Sequence, residues 1–190
     1  MQIKQLNLLI LFVMIQSSCI LMKRTIKVEV KTDEEITKYV LDNELQFDFV
    51  IRPSDNSTIN RIPEYCMNGV QFVNIYDSIG NLLKISEGVN CEIDAMNFLK
   101  DSISFKSLED TKYYKCNFND FLSSQRVINK REEFHRDKFD HSYKIVIGWA
   151  TAYNQFSLMR KRTEIVTKMI PEFKKNNKNI LVIGLNLDPM

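Results

Sequence analysis

Two short apolar runs near the carboxyl end constrain the fold more than any other part of the chain. Tyr143 to Gly148 carries Ile145, Val146 and Ile147 in succession, and Asn179 to Asp188 carries Ile180, Leu181, Val182, Ile183, Leu185 and Leu187. Consecutive apolar residues rich in β-branched side chains suit strands buried on both faces of a sheet. The stretch between them reads as a helix reaching to about Lys175, long enough for the crossover that parallel neighbours require. The expected unit is strand, helix, strand with a right-handed crossover, in a protein of the α/β class.

Upstream, Val70 to Tyr76 is strand-like, Asp77-Ser78-Ile79-Gly80-Asn81 supplies turn residues, and Leu82 to Ser86 resumes the strand pattern. This predicts a β-hairpin. A helix from Cys91 to Ile103 follows, with Asn90 as its cap and Ile93, Met96, Phe98 and Leu99 as its apolar positions. Nearer the amino end, Thr25 to Val30 alternates like a half-buried strand, and a short helix capped by Thr32 or Asp33 places Ile36, Tyr39 and Val40 on one face. Leu45 to Ile51 alternates again and is expected to stop at Arg52-Pro53, since proline cannot donate to a ladder. Ser54 to Pro63 and Ser104 to Lys115 read as polar loops. A long helix is expected from about Asp120 to Asp137, with Phe121, Leu122, Val127, Ile128 and Phe134 along it and Lys130-Arg131-Glu132-Glu133 on a solvated face.

Trp149-Ala150-Thr151-Ala152-Tyr153-Asn154-Gln155-Phe156 follows the first apolar run directly. Together with Val182-Ile183-Gly184-Leu185-Asn186-Leu187-Asp188, it resembles the opening βαβ unit of membrane-anchored thioredoxin-like thiol:disulfide oxidoreductases. In that family the first core strand ends in Trp-Ala-Thr-Trp-Cys-x-x-Cys. The likeness is limited to about residues 143–188. It implies a partial or rearranged thioredoxin-like sheet, built from the C-terminal βαβ unit and the upstream ββα unit, with an N-terminal βαβ-like appendage. Trp149 then marks the degenerate redox site, and Tyr153 and Phe156 stand where the two redox cysteines would be. Disulfide exchange needs a thiolate nucleophile and a resolving thiol, roles that Tyr and Phe cannot take. Trp149 and Tyr153 could line a groove, although an aromatic at a strand end more often belongs to the core.

The amino end gives an address. An apolar run from Leu6 to Ile15, preceded by Lys4, leads into Gln16-Ser17-Ser18-Cys19. Such a run is short for a membrane span, and small residues before a cysteine suit a lipoprotein signal peptide. The expected organisation is a signal peptide over 1–18, a membrane-proximal tether over 19–24, an N-terminal β/α segment over 25–63 and an α/β domain over 64–190. Cys19 would carry the lipid, palmitate among its acyl chains, and hold the protein to a membrane of the bacterial cell envelope on the periplasmic or outer-membrane side. The alternative is an uncleaved anchor running through Met22, with Lys23 and Arg24 favouring a cytosolic carboxyl end. Membrane association is expected in both cases.

A net charge of +2 is too small to imply a nucleic-acid partner, and 44% hydrophobic residues provide enough apolar side chains for a core. Besides Cys19 the cysteines are Cys66, Cys91 and Cys116, which allow at most one disulfide and leave an odd thiol. None forms a Cys-x-x-Cys pair, so neither a zinc site nor a dithiol centre is expected. His135 and His141 lie six apart amid Arg136 and Lys138, a spacing that puts them on different helix faces. No Gly-rich phosphate loop, Gly-x-Ser-x-Gly elbow or His-Glu-x-x-His motif occurs. No cofactor is expected. The leading expectation is a binding or structural module for a protein or peptide partner, and the alternative is a related enzyme using Cys66, Cys91 or Cys116 as a single reactive thiol.

Overall fold

Strand-forming runs in this chain are joined into one sheet by pairings distant in sequence. The computed structural model describes residues 29–61, 67, 72–87, 91–100, 116–129, 143–151 and 180–190. In chain order these form α1 (Asp33–Asp42), β1 (Phe49–Pro53), α2 (Asn56–Arg61), β2 (Phe72–Asp77), β3 (Leu82–Glu87), α3 (Cys91–Lys100), α4 (Phe118–Ser123), β4 (Gln125–Val127), β5 (Tyr143–Trp149) and β6 (Ile180–Asn186). The six strands lie in the order β3-β2-β5-β6-β1-β4. β5 and β6 run parallel from Tyr143 opposite Ile180 to Trp149 opposite Asn186, and β6 is parallel to β1, with Phe49 opposite Ile183. The outer pairings, β2 with β5, β2 with β3, and β1 with β4, are antiparallel. The protein is therefore α/β with a mixed sheet, and the 25–63 segment contributes β1 to the interior of that sheet.

Alternation along the strands assigns side chains to two faces. One face buries Phe49, Ile51, Phe72, Tyr76, Val146, Leu181, Ile183 and Leu185 beneath Met67, Cys116, Phe118 and Phe121. The other buries Val73, Ile75, Ile145, Ile147 and Val182 against Cys91 and Ala95 of α3, and Val50 and Trp149 against Ile36 and Val40 of α1. Burial of both faces explains why β5 and β6 read as continuous apolar runs.

The hairpin forms as expected, and its turn chemistry is visible. Asp77 Oδ1 accepts from the N–H groups of Ile79 (3.1 Å) and Asn81 (2.8 Å), while Gly80 takes the positive φ of 96° that the turn requires. Lys144, buried at the start of β5, donates to the carbonyls of Asp77 (3.1 Å) and Ser78 (2.6 Å), and its ammonium stands 5.6 Å from the centre of the Phe118 ring. Thr32, rather than Asp33, caps α1: its hydroxyl accepts from Glu35 N–H, and the Glu35 carboxylate accepts from Thr32 N–H in a capping box.

Three expectations are corrected, and a fourth lies largely outside the described residues. The long helix from Asp120 is only α4: Ser123 and Ser124 hydroxyls donate to the carbonyls of Asp120 (2.7 Å) and Phe121 (2.9 Å), and the chain then turns into β4. There Gln125, Arg126 and Val127 pair with Pro53, Arg52 and Ile51. The strand expected over Leu45–Ile51 starts at Phe49 and continues through Arg52 to Pro53, because β1 is flanked by ladders on both sides and proline sits at its last position. Within the expected loop Ser54–Pro63, Asp55 Oδ1 accepts from Thr58 N–H (2.8 Å) and opens the short helix α2. Of the strand expected over Thr25–Val30, only Glu29 and Val30 are described, and they belong to no strand.

Gly148 provides a test of this packing. A Cβ built there would stand 2.3 Å from Cε1 of Phe72, whose ring is fully buried. Gly148→Ala should therefore lower unfolding stability by about 1 to 3 kcal/mol through overpacking, measured by urea denaturation. An unchanged midpoint would contradict the close approach of β5 to the Phe72 ring.

Candidate functional site

Because β5, β6 and β1 are parallel, the residues that follow them are gathered at one edge of the sheet, the usual location of crevices in α/β proteins. Trp149 closes β5 there. Its ring is 3% exposed and lies between Tyr39, at 5.8 Å, and Phe47, at 5.9 Å, both nearly parallel to it. Its indole Nε1 is buried without a hydrogen-bond partner. Of the positions that the resemblance singled out, Trp149 is thus packed as core. Tyr153 and Phe156 lie outside the described residues, as do Ala152, Cys19, Cys66, His135 and His141.

The exits of β5 and β6 are tied together by a buried carboxylate. Asp188 Oδ2 accepts from Thr151 N–H (2.9 Å) and from the Asn186 amide (2.8 Å), and Leu187 N–H donates to the Trp149 carbonyl at 2.8 Å. Asp188 N–H donates in turn to Asn186 Oδ1 at 3.2 Å. These bonds hold the turn after Trp149 in one arrangement relative to the end of β6.

A buried guanidinium occupies the same edge. Arg52, on the face of β1 that Val50 shares with Trp149, is 1% exposed. Its Nη1 donates to Asp33 Oδ1 (2.8 Å) and to the Lys31 carbonyl (2.9 Å), and its Nη2 donates to the carbonyls of Asp188 (3.0 Å) and Pro189 (3.1 Å). Asp33 also receives Arg126 of β4, through Nη1 on Oδ2 and through Nη2 on Oδ1 at 2.9 Å. Burial pushes the Asp33 carboxyl up, but the Arg126 and Arg52 guanidiniums outweigh it and hold the group below its ordinary range. Sequence reading noted Asp33 only as a possible cap and Arg52 only as the residue before a breaker. An arginine following Phe49-Val50-Ile51 was the available signal, since a charge in an otherwise apolar strand needs a buried partner.

A cleft of about 430 Å³ opens between α1 and the segment leading into β1. Val40, Leu41, Leu45 and Phe47 supply its apolar lining, with Thr37, Glu44, Gln46 and Asn129 as polar groups. Its size falls within the range of small-ligand pockets, and Phe47 is shared with the stack on Trp149. Among the described residues no group of three or more His, Cys, Asp or Glu side chains could hold a metal ion. Cys91 is 1% exposed and packed with Val73, Ile75 and Leu83, and Cys116 is in a disulfide. The described part of the site thus offers an aromatic wall, an ionic network of one carboxylate and two guanidiniums, and a cleft.

No family model matches the chain, and neither a curated protein nor a solved structure shows significant similarity to it.

The ion network sets an acid dependence. The side chain of Asp33 is 28% exposed and that of Arg52 1%, so Asp33→Asn should cost about 2 to 4 kcal/mol at pH 7 by leaving the buried guanidinium without its counter-charge. A carboxyl held low when folded stabilises the fold above its ordinary value of 3.8, and that contribution disappears as pH falls through the lowered folded value. Wild type and variant should therefore converge in stability as pH falls below the ordinary carboxyl range. Parallel urea curves from pH 7 down to pH 2 check this, and a gap that persists at the acid end would contradict it.

Proposed function

We propose that the protein is a cell-envelope lipoprotein, held to the membrane through a lipid on Cys19, whose folded part is a redox-inactive thioredoxin-like module with a binding or structural role. The observation that carries the reading is the strand order. β3-β2-β5-β6-β1 combines a parallel central pair, an antiparallel hairpin beside its first strand and a further parallel strand beside its second. A thioredoxin-like sheet has this arrangement when its ββα unit stands before its βαβ unit in the chain. The hairpin β2–β3 followed by α3, which packs on those strands, supports the same reading. So does the position of Trp149-Ala150-Thr151 at the carboxyl end of β5, where the family carries its redox motif.

Two further observations agree. A disulfide at Cys116 fits a protein that matures in an oxidising compartment, as exported proteins do. Among the described residues no helix is long and apolar enough to cross a membrane, so attachment in this reading depends on the amino end. A single-cysteine enzyme is disfavoured at Cys91, whose burial among apolar side chains keeps a thiol inert. The cleft lined by Leu41, Leu45 and Phe47 is the place where a binding role would operate.

Replacing Cys19 with Ala should move the protein from the membrane to the soluble fraction, or stall it as an uncleaved precursor, with loss of labelling by a palmitate analogue. Membrane retention with acyl labelling intact would overturn the anchor. The same soluble form should match the buffer blank in an insulin-reduction assay, and turnover abolished by mutating Cys66, Cys91 or Cys116 would revive the enzyme reading.

A further inference from the structure

Helix α1 ends in a turn of the kind that usually requires glycine. Leu45 N–H donates to the Val40 carbonyl at 2.9 Å and Glu44 N–H to the Leu41 carbonyl at 3.1 Å, the paired bonds of a Schellman motif. Asn43 is the cap, so the left-handed position falls on Glu44, whose φ is 53°. Among the described residues no other non-glycine residue has a positive φ. A side chain with a Cβ is penalised in that conformation, and strain of this kind concentrates where ligands are held. Glu44 is exposed, and among the described residues its carboxylate takes no hydrogen bond or ion pair.

The same residue lines the cleft of about 430 Å³, and among the described residues it is the one charged group in that lining. It stands at the carboxyl end of α1, where the helix dipole is negative and the last turn carries no basic side chain. Lys38, one turn earlier, is paired with Asp42. Carboxylate and helix terminus therefore add, over an apolar lining of Val40, Leu45 and Phe47. That lining is fixed before any ligand arrives: Val40 and Leu45 are buried in the cluster that holds Trp149, and the Phe47 ring stacks on the indole. Asn129, also in the lining, is held by accepting from Val50 N–H at 2.9 Å.

We infer that the cleft binds a small organic cation, an ammonium group on an apolar body, and that Glu44 selects its charge. This rests on the binding role proposed above and names the chemistry of its ligand. The Glu44 carboxylate accepts from the ammonium N–H groups, the negative end of α1 adds to the attraction, and the apolar body lies against Val40, Leu45 and Phe47. Glycine at position 44 would relieve the backbone but delete the charge, so stability and binding make opposite demands on this residue.

Titration of the full-length protein in detergent micelles with phenethylammonium, phenylpropionate and phenethyl alcohol tests this. The readouts are Tm and the fluorescence of Trp149, the single tryptophan, which stacks on Phe47. Phenethylammonium should raise Tm by roughly 3 to 6 °C at about ten times its Kd and bind at least about tenfold more tightly than phenylpropionate. Glu44→Gln should weaken the cation about fivefold, whereas Glu44→Gly should raise the Tm of the free protein by roughly 2 to 4 °C while losing the preference for the cation. Equal responses to the three compounds, or a stronger one to phenylpropionate, would overturn the charge selection and leave the binding role standing. No response to any of them in either readout would overturn both. A cation preference undiminished in Glu44→Gln would remove Glu44 from the site, and a Glu44→Gly protein less stable than wild type would refute the argument from its backbone.

Discussion

The parallel ladder between Tyr143–Trp149 and Ile180–Asn186 is the interaction on which the rest of the arrangement depends. Each of its strands is wholly or almost wholly buried, which is tolerable only if further elements cover both faces and both lateral edges. The hairpin β2–β3 covers the edge of β5, β1 covers the edge of β6, and α1, α3 and α4 cover the faces. Parallel direction has a second effect. It brings the carboxyl ends of β5, β6 and β1 to one side, so that Trp149, Asp188 and Arg52 become neighbours although the chain separates them widely.

Burying Arg52 at that meeting point carries a desolvation cost that hydrophobic contacts cannot offset. The structure answers with a carboxylate, Asp33, and three carbonyls on the two terminal nitrogens, leaving Nε without a bond. Arg126 on the edge strand donates to the same carboxylate as a second guanidinium. This ties α1, β1, β4 and the residues after β6 into one unit. Asp33 also sits in the first turn of α1, where the helix dipole favours a negative charge, so one carboxylate serves both purposes.

The stack of Tyr39, Trp149 and Phe47 packs the carboxyl end of β5 as core. An aromatic ring at this position gains apolar burial against α1. The cleft that shares Phe47 with this stack is a partly apolar concavity next to it. Lys144 performs a comparable task at the other end of β5, where its ammonium satisfies turn carbonyls of the hairpin and faces the Phe118 ring.

Local pattern was enough wherever an element's own residues decide its state. Uninterrupted β-branched runs announced β5 and β6, the Asp77-to-Asn81 turn announced the hairpin, and Thr32 with Glu35 announced the start of α1. Trp149 was legible as a strand-end aromatic for the same reason. Pattern failed where a distant partner decides. Gln125 to Val127 continued a helical periodicity but became a strand, because β1 offered unpaired backbone groups that only the folded sheet brings near. Arg52 looked like the end of a strand, and its role depended on Asp33, the Asp188 and Pro189 carbonyls and Arg126 arriving from three separate parts of the chain. The sequence by itself thus determined that β5, β6 and the two hairpin strands form, where the hairpin turns and that both faces of the sheet must be covered. Strand order, the choice between helix and edge strand after Ser124, and the charge network at the carboxyl edge were decided by tertiary structure, since hydrogen bonds and ion pairs between remote residues exist only once the sheet has assembled.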